Sequence, residues 1–253
     1  MTIAKQTDFF ARCTVAKLSD PPKEVRVLET SATRAEIAQT LAPRVKEHYL
    51  TEKILRKWGY AKIATYVAQK VPVSQRGKSG DLGEILATEY LNSGNVPPYE
   101  VPINRLRWKD SRDLPMRGED VIGFAFDQTP MLFLKAEAKS RKALTAKVVA
   151  AARAALEKNS GLPLPHTLSF IVERLFEMNR DDKAEQIEEF VDRKLPANSQ
   201  VAHLIFTFSE NDPSALLMDD VKKAKTFAHH SVGLRVDEHQ EMIRSVFDEA
   251  CRG

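Results

Sequence analysis

Residues 131–141, Met-Leu-Phe-Leu-Lys-Ala-Glu-Ala-Lys-Ser-Arg, close an otherwise apolar run with a carboxylate and an amine two residues apart. Strand side chains alternate between faces, so Leu132, Leu134, Ala136 and Ala138 line one side, while Met131, Phe133, Lys135, Glu137 and Lys139 line the other. Glu137 and Lys139 therefore point the same way. Burying charge in such a place is costly unless each group has a partner or a task. A metal ion and a phosphodiester would use both.

The acid-x-Lys spacing alone is unspecific, because it recurs at Asp181/Lys183, Asp192/Lys194 and Asp220/Lys222. Those three sit in polar, helix-like or loop-like contexts. Only Glu137/Lys139 ends an apolar strand, and only it has an upstream match: Arg117-Gly-Glu-Asp120, which leads into the apolar run 121–126. Sixteen residues separate Asp120 from Glu137, with a turn-like Asp-Gln-Thr-Pro at 127–130. The two runs read as an antiparallel hairpin with their acids at one end of the sheet. A third acid, Glu84, lies at the margin of a helix marked by Leu82, Ile85, Leu86, Tyr90 and Leu91 at helical spacing. Asp81 and Glu84 also read as a capping pair at the start of that helix, and both readings stay open.

The order is a helix with Glu84, a strand, a strand with Asp120, a strand with Glu137-x-Lys139 and a long helix over 142–158. In this order the chain resembles the PD-(D/E)xK, or restriction-endonuclease-like, nucleases. Gly118-Glu119-Asp120 stands where that motif has its proline, and Asp120 is the favoured acid because it adjoins the strand directly. A narrower resemblance rests on Gly-Asp-Leu-Gly-Glu at 80–84, Arg-Gly-Glu-Asp at 117–120 and Lys-Ala-Glu-Ala-Lys at 135–139. In these the chain looks like the HamA family, nuclease subunits of the Hachiman anti-phage defence system that work with a helicase, HamB.

The superfamily resemblance implies an α/β (α+β) mixed sheet with an αβββαβ core, here carrying an N-terminal extension (1–74) and C-terminal helices on a nuclease-like domain (75–253). It implies a Mg²⁺-dependent deoxyribonuclease, with Mn²⁺ as a substitute. Magnesium takes oxygen ligands and is commonly held by one or two carboxylates plus substrate phosphate, a demand that Asp120 and Glu137 match. The resemblance adds Glu84 and the Ala138 carbonyl to the metal site, and gives Lys139 the task of orienting the attacking water. The expected partners are DNA and a HamB-like helicase, with neither a membrane nor a small-molecule substrate.

The 253 residues, 43 % hydrophobic and 29 % charged, are those of a globular protein. No apolar stretch is long enough to span a bilayer and the first residues lack a signal core, so a cytoplasmic protein is expected. Cys13 and Cys251 show no paired spacing and read as free thiols. The net charge of +3 is small, but its distribution is uneven. Nine Lys/Arg face two acids between positions 44 and 78, and read as a solvated helix face or a partner-docking surface. Arg105, Arg107, Lys109, Arg112 and Arg117 precede Asp120, and Arg141 and Lys142 follow Glu137. These seven are the candidate phosphate contacts. Trp108, among them, either stacks on a base or packs on the core.

Elsewhere, short β-like runs at 9–17 and 24–28 flank Asp-Pro-Pro at 20–22. Thr33 and Glu36 form a capping box opening a helix to Tyr49, and a second helix over 52–69 is broken at Gly59. The stretch 71–80 reads as a linker, with a boundary near Ser74. Helical material over 170–190, a strand at 201–208 and a helix at 238–249 complete the chain. His229, His230 and His239 have no cysteine nearby to suggest zinc.

Overall fold

The computed structural model describes residues 9–192, 200–226 and 228–252. In chain order the elements are β1 (Cys13–Ser19), β2 (Lys23–Thr30), α1 (Arg34–Tyr49), α2 (Glu52–Lys57), α3 (Tyr60–Lys70), α4 (Gln75–Asn92), β3 (Val121–Ala125) and β4 (Leu132–Arg141). There follow α5 (Ala146–Glu157), α6 (Pro165–Glu177), α7 (Asp181–Asp192), β5 (Val201–Ser209), α8 (Ser214–Val221), β6 (Ala228–Arg235) and α9 (His239–Ala250). The six strands form one mixed sheet in the order β1-β2-β6-β5-β4-β3. Both edge pairs are antiparallel and the inner pairings parallel. The expected mixed α/β class is the one observed.

β5 is buried along its whole length, as a central parallel strand covered on both faces should be. One face of the sheet, with Leu134, Ala136, Leu204 and Phe206, packs under α1, α4 and α9. The other is divided between α5 and α8, over Val25 and Ile205, and α6 and α7, over Phe124 and Phe133. Burying one such side chain is worth about 1.5–3 kcal/mol. Residues 9–74 share this core. β2 pairs with β6, α1 packs on α9, and Phe10 meets Tyr90 edge-on at 5.2 Å.

Thr33 and Glu36 cap α1 reciprocally, and Gly59 is the N-cap of α3 after the break. Four expectations change. The stretch 71–80 is mostly helix: Ser74 accepts from the Gly77 N–H and starts α4 there, six residues before the expected helix. A Cβ at Gly77 would stand 2.6 Å from Pro72, so glycine lets the chain double back into the helix. The strand expected between α4 and β3 shrinks to a single bridge, Glu100 to Phe124. The helix expected from 142 starts at Ala146, because β4 continues to Arg141 and Thr145 supplies the cap. Finally, α8 and β6 stand where no element is expected. β6, Ala-His-His-Ser-Val-Gly-Leu-Arg, has no clean alternation, and it is a strand because β5 and β2 pair with it on both sides. Among the described residues no helix is long and apolar enough to cross a membrane.

Candidate functional site

Val121 opposes Ala136 in the β3–β4 register, which brings the preceding Asp120 alongside Glu137. Asp120 Oδ2 accepts a hydrogen bond from the Ala138 N–H at 2.9 Å, so the acid leading into β3 is tied to the backbone between Glu137 and Lys139. Lys139 Nζ is ion-paired with Glu137. Burial raises the Glu137 carboxyl above the usual range, the charge of Asp120 raises it further, and Lys139 opposes both. Two carboxylates sharing one strand end repel each other, and one lysine does not cancel that repulsion.

Glu84 reaches this end from the opposite face of the sheet. α4 approaches β4 closely because Gly83 lies against Ser140, where a Cβ would stand 3.3 Å from the serine Cβ. Ser79 adds a hydrogen bond to Ser140 Oγ at 2.7 Å. Burial pushes the Glu84 carboxyl up to about 8, with Arg105 opposing and Asp120 reinforcing the rise. Arg105 Nε lies 3.0 Å from Glu84 Oε1, but the approach is not aligned as a hydrogen bond. Asp120 thus feels both glutamates. The capping reading of Asp81 and Glu84 is overturned, because the helix starts at Gln75 and both acids lie inside it.

Within Gly118-Glu119-Asp120 the two acids go opposite ways. Glu119 is buried, accepts from the Leu164 N–H at 2.9 Å and lies 3.5 Å from Lys135 Nζ. Lys135 also donates to the carbonyls of Lys158 and Leu162. Only Asp120 faces the Glu137 end.

The cation-rich loop is mostly turned inward, which corrects part of the expected DNA-facing set. Lys109 is buried and donates to both Asp81 oxygens at 2.8 Å, while Tyr49 donates to Asp81 Oδ2 at 2.5 Å. Arg107 donates twice to the Glu47 carbonyl, at 3.1 and 2.9 Å. Arg112 Nε donates to the Val71 carbonyl, and Arg105 donates to the Glu119 carbonyl as well as meeting Glu84. Arg117, Arg141 and Lys142 are exposed. The inward cations reach backbone carbonyls and two carboxylates that lie far away in sequence, so only the fold could reveal them. One signal was available: Asp81 and Glu84, three apart on a helix, must share a face.

Trp108 packs against Phe170 on α6 and lines a cleft of about 690 Å³ whose wall also includes Asp120. Glu137 and Lys139 lie outside that lining. Two of the other acid-x-Lys matches are ordinary, Lys183 pairing with Glu100 and Asp220 with Arg153, and Lys194 of the third falls outside the described residues. His229 is buried in β6, His230 pairs with Glu24, and His239 meets Ser140 at 3.0 Å.

Among the described residues no three His, Cys, Asp or Glu side chains gather into a metal cage. The oxygen donors that this strand end could offer an ion are the carboxylates of Asp120 and Glu137. Hard oxygen donors, few in number, suit an ion such as Mg²⁺ that keeps most of its waters. Burial first, and then the charge of Asp120, raises the Glu137 carboxyl, so a positive charge between the two acids would favour their ionised forms.

Comparison with known proteins agrees over nearly the whole chain. The HamA family model matches residues 7–250. The Hachiman protein HamA of Bacillus cereus is 26 % identical over 240 residues, which cover 90 % of this chain and 84 % of that protein. With the family match spanning far more than half of its length, this chain belongs to the HamA family.

Proposed function

We propose that this protein is a divalent-metal-dependent DNA nuclease with a restriction-endonuclease-like core, acting in Hachiman anti-phage defence beside a HamB-like helicase. The observation that carries the reading is the convergence at one strand end of Asp120, Glu137, the Ala138 backbone and Lys139, with Glu84 coupled to Asp120 from α4. Family membership supports the defence role and the helicase partner.

Asp120 and Glu137 would hold Mg²⁺ or Mn²⁺ with the Ala138 carbonyl, and Glu84 would complete the set. Bound there, the ion would acidify a water and neutralise charge at the phosphate. The chain's own residues account for the rest. The Ala138 N–H fixes the Asp120 carboxylate in place. Lys139, restrained by Glu137, carries three donor protons for the attacking water and a phosphate oxygen. Arg105, 3.0 Å from Glu84, favours the charged form of that carboxyl against the burial that raises it. Exposed Arg117, Arg141 and Lys142 would contact flanking phosphates without reading sequence.

The deciding experiment incubates purified protein with supercoiled and linear DNA, with and without Mg²⁺ and the helicase. Metal-dependent cleavage that disappears in Glu137→Gln supports the reading. A protein that binds DNA but takes up no divalent ion, by calorimetry with DNA present, would be a non-catalytic adaptor. Metal-dependent cleavage with no physical or functional link to a helicase would instead indicate a stand-alone repair or restriction nuclease.

A further inference from the structure

The cleft beside Asp120 has a wall that the metal-centred reading does not use. Trp108 and Phe170 meet edge to face with centroids 6.1 Å apart. The Arg174 guanidinium lies over both rings, 5.8 Å from Trp108 and 5.4 Å from Phe170. Glu173 and Glu177 hold the outer nitrogens of Arg174 at 3.0 and 2.7 Å, yet its Nε is buried without an acceptor. Thr167 lines the same cleft, is 7 % exposed, and has its Oγ1 buried without a hydrogen-bond partner. Buried polar atoms left unpaired are costly, and four of them, Arg105 Nε, Glu119 Oε2, Thr167 Oγ1 and Arg174 Nε, belong to residues lining this one cleft. Exposed Arg117 and half-buried Asp120 line the same cleft. Aromatic rings, a planar guanidinium and isolated polar atoms in a cleft of about 690 Å³ are what a nucleobase requires, since its faces stack and its edge hydrogen-bonds.

We propose that this cleft is a nucleobase pocket, taking one unstacked base of the strand whose phosphate lies at Asp120. Trp108, Phe170 and Arg174 would contact the faces of the base, and Thr167 Oγ1 and Arg174 Nε its edge. The proposal rests on the DNA-nuclease reading and adds a substrate preference to it. A free nucleotide offers the same chemistry, but the presence of Asp120 in the lining of the cleft favours a base still joined to the strand. A base must leave its stack to enter, so single-stranded, frayed or mismatched positions should be preferred over intact duplex.

The test uses full-length protein with Ca²⁺ in place of Mg²⁺ and a labelled single-stranded oligonucleotide, intact or with one abasic residue placed in turn at each position. In wild type, one abasic position should weaken binding about tenfold, the usual scale of one base–aromatic stack. Trp108→Leu should bind intact and abasic strands equally, with an unchanged salt slope because stacking releases no counterions. Thr167→Val and Arg174→Gln provide the same comparison should Trp108→Leu lower the melting temperature. Equal affinity of wild type for intact and abasic strands at every position overturns the pocket and leaves the nuclease reading standing. Failure to bind any DNA at low salt overturns both. dAMP is the competing probe, followed by Trp108 emission in a Trp58→Phe background. Saturable quenching by dAMP that the oligonucleotide cannot displace would assign the cleft to a free nucleotide and end the DNA-base proposal.

Discussion

Two acid–lysine pairs in this molecule have the same chemistry and opposite characters. Asp81–Lys109 is buried, the lysine donating to both carboxylate oxygens while Tyr49 completes the shell. Glu137–Lys139 stands at a strand end, partly open to solvent, with Asp120 crowding the glutamate. In the first pair a neutral phenol is the third member and every charge is answered. In the second it is another carboxylate, and negative charge is left over. The difference lies in the third group that the fold sets beside an acid and a lysine: a phenol closes one pair, and a carboxylate leaves the other with excess negative charge.

The largest effect should come from breaking the open pair. Glu137→Ala with Lys139→Ala should lower cleavage by at least about 10²–10³-fold, the scale of removing a preorganised electrostatic contributor. Thermal unfolding should hardly change, because neither side chain fills the core. Wild-type cleavage by the double variant would leave the strand end without a role.

The closed pair should respond the other way. Lys109→Met leaves Asp81 buried and unanswered, which should cost about 3–5 kcal/mol in denaturant unfolding. Activity per folded molecule should persist. Adding Asp81→Leu should recover most of the stability, since an apolar pair of similar volume is often as good as a buried ion pair. A Lys109→Met protein as stable as wild type would show that the latch carries nothing.

Acid separates the two pairs only against a histidine background. Burial holds His229 down to about 3 and His239 to about 4, against about 6.5 in an unfolded chain. Above pH ~6.5 both are neutral in both states and add no pH dependence. Between ~6.5 and the folded values the unfolded chain binds protons that the folded one refuses, so stability falls as pH falls. The slope is up to about 1.4 kcal/mol per pH unit for each histidine. Melts across this window should be flatter for His229→Leu than for wild type, and an identical slope would refute the assignment.

Glu119 and Asp120 sharpen the contrast between adjacent residues. Glu119→Gln, which weakens the tie to Lys135, should cost about 1–3 kcal/mol of stability and spare metal binding. Asp120→Asn should do the reverse. The smallest effect concerns the surface: replacing Arg141 and Lys142 should weaken DNA binding alike for all sequences. It should also reduce the log–log salt slope by about 0.9 for each phosphate that is no longer neutralised.

How much of this was legible in the sequence depended on the range of the interactions. The β3–β4 hairpin, the placement of its acids at one end and the α1 capping box rest on alternation, a turn and near neighbours, all written within a few residues. The helix bearing Glu84 was visible by its period, but its start was not, because Gly77 and Gly80 read as linker until Ser74 is seen to cap them. β6 was invisible, since its histidines and serine are poor strand formers that two flanking strands hold in the sheet. The cations of the 105–112 loop carry one charge each in the sequence whether they face DNA or the protein interior. By itself the sequence determined which residues could carry the chemistry and which strand would present them, because alternation is a local property of an extended backbone. Only the tertiary structure decided that Lys109 is a latch, that Arg105 answers Glu84, and that Asp120 rather than Glu119 is tied to the Ala138 N–H beside Glu137. Polar pairing depends on distance through space, and the chain separates those partners by 18 to 28 residues.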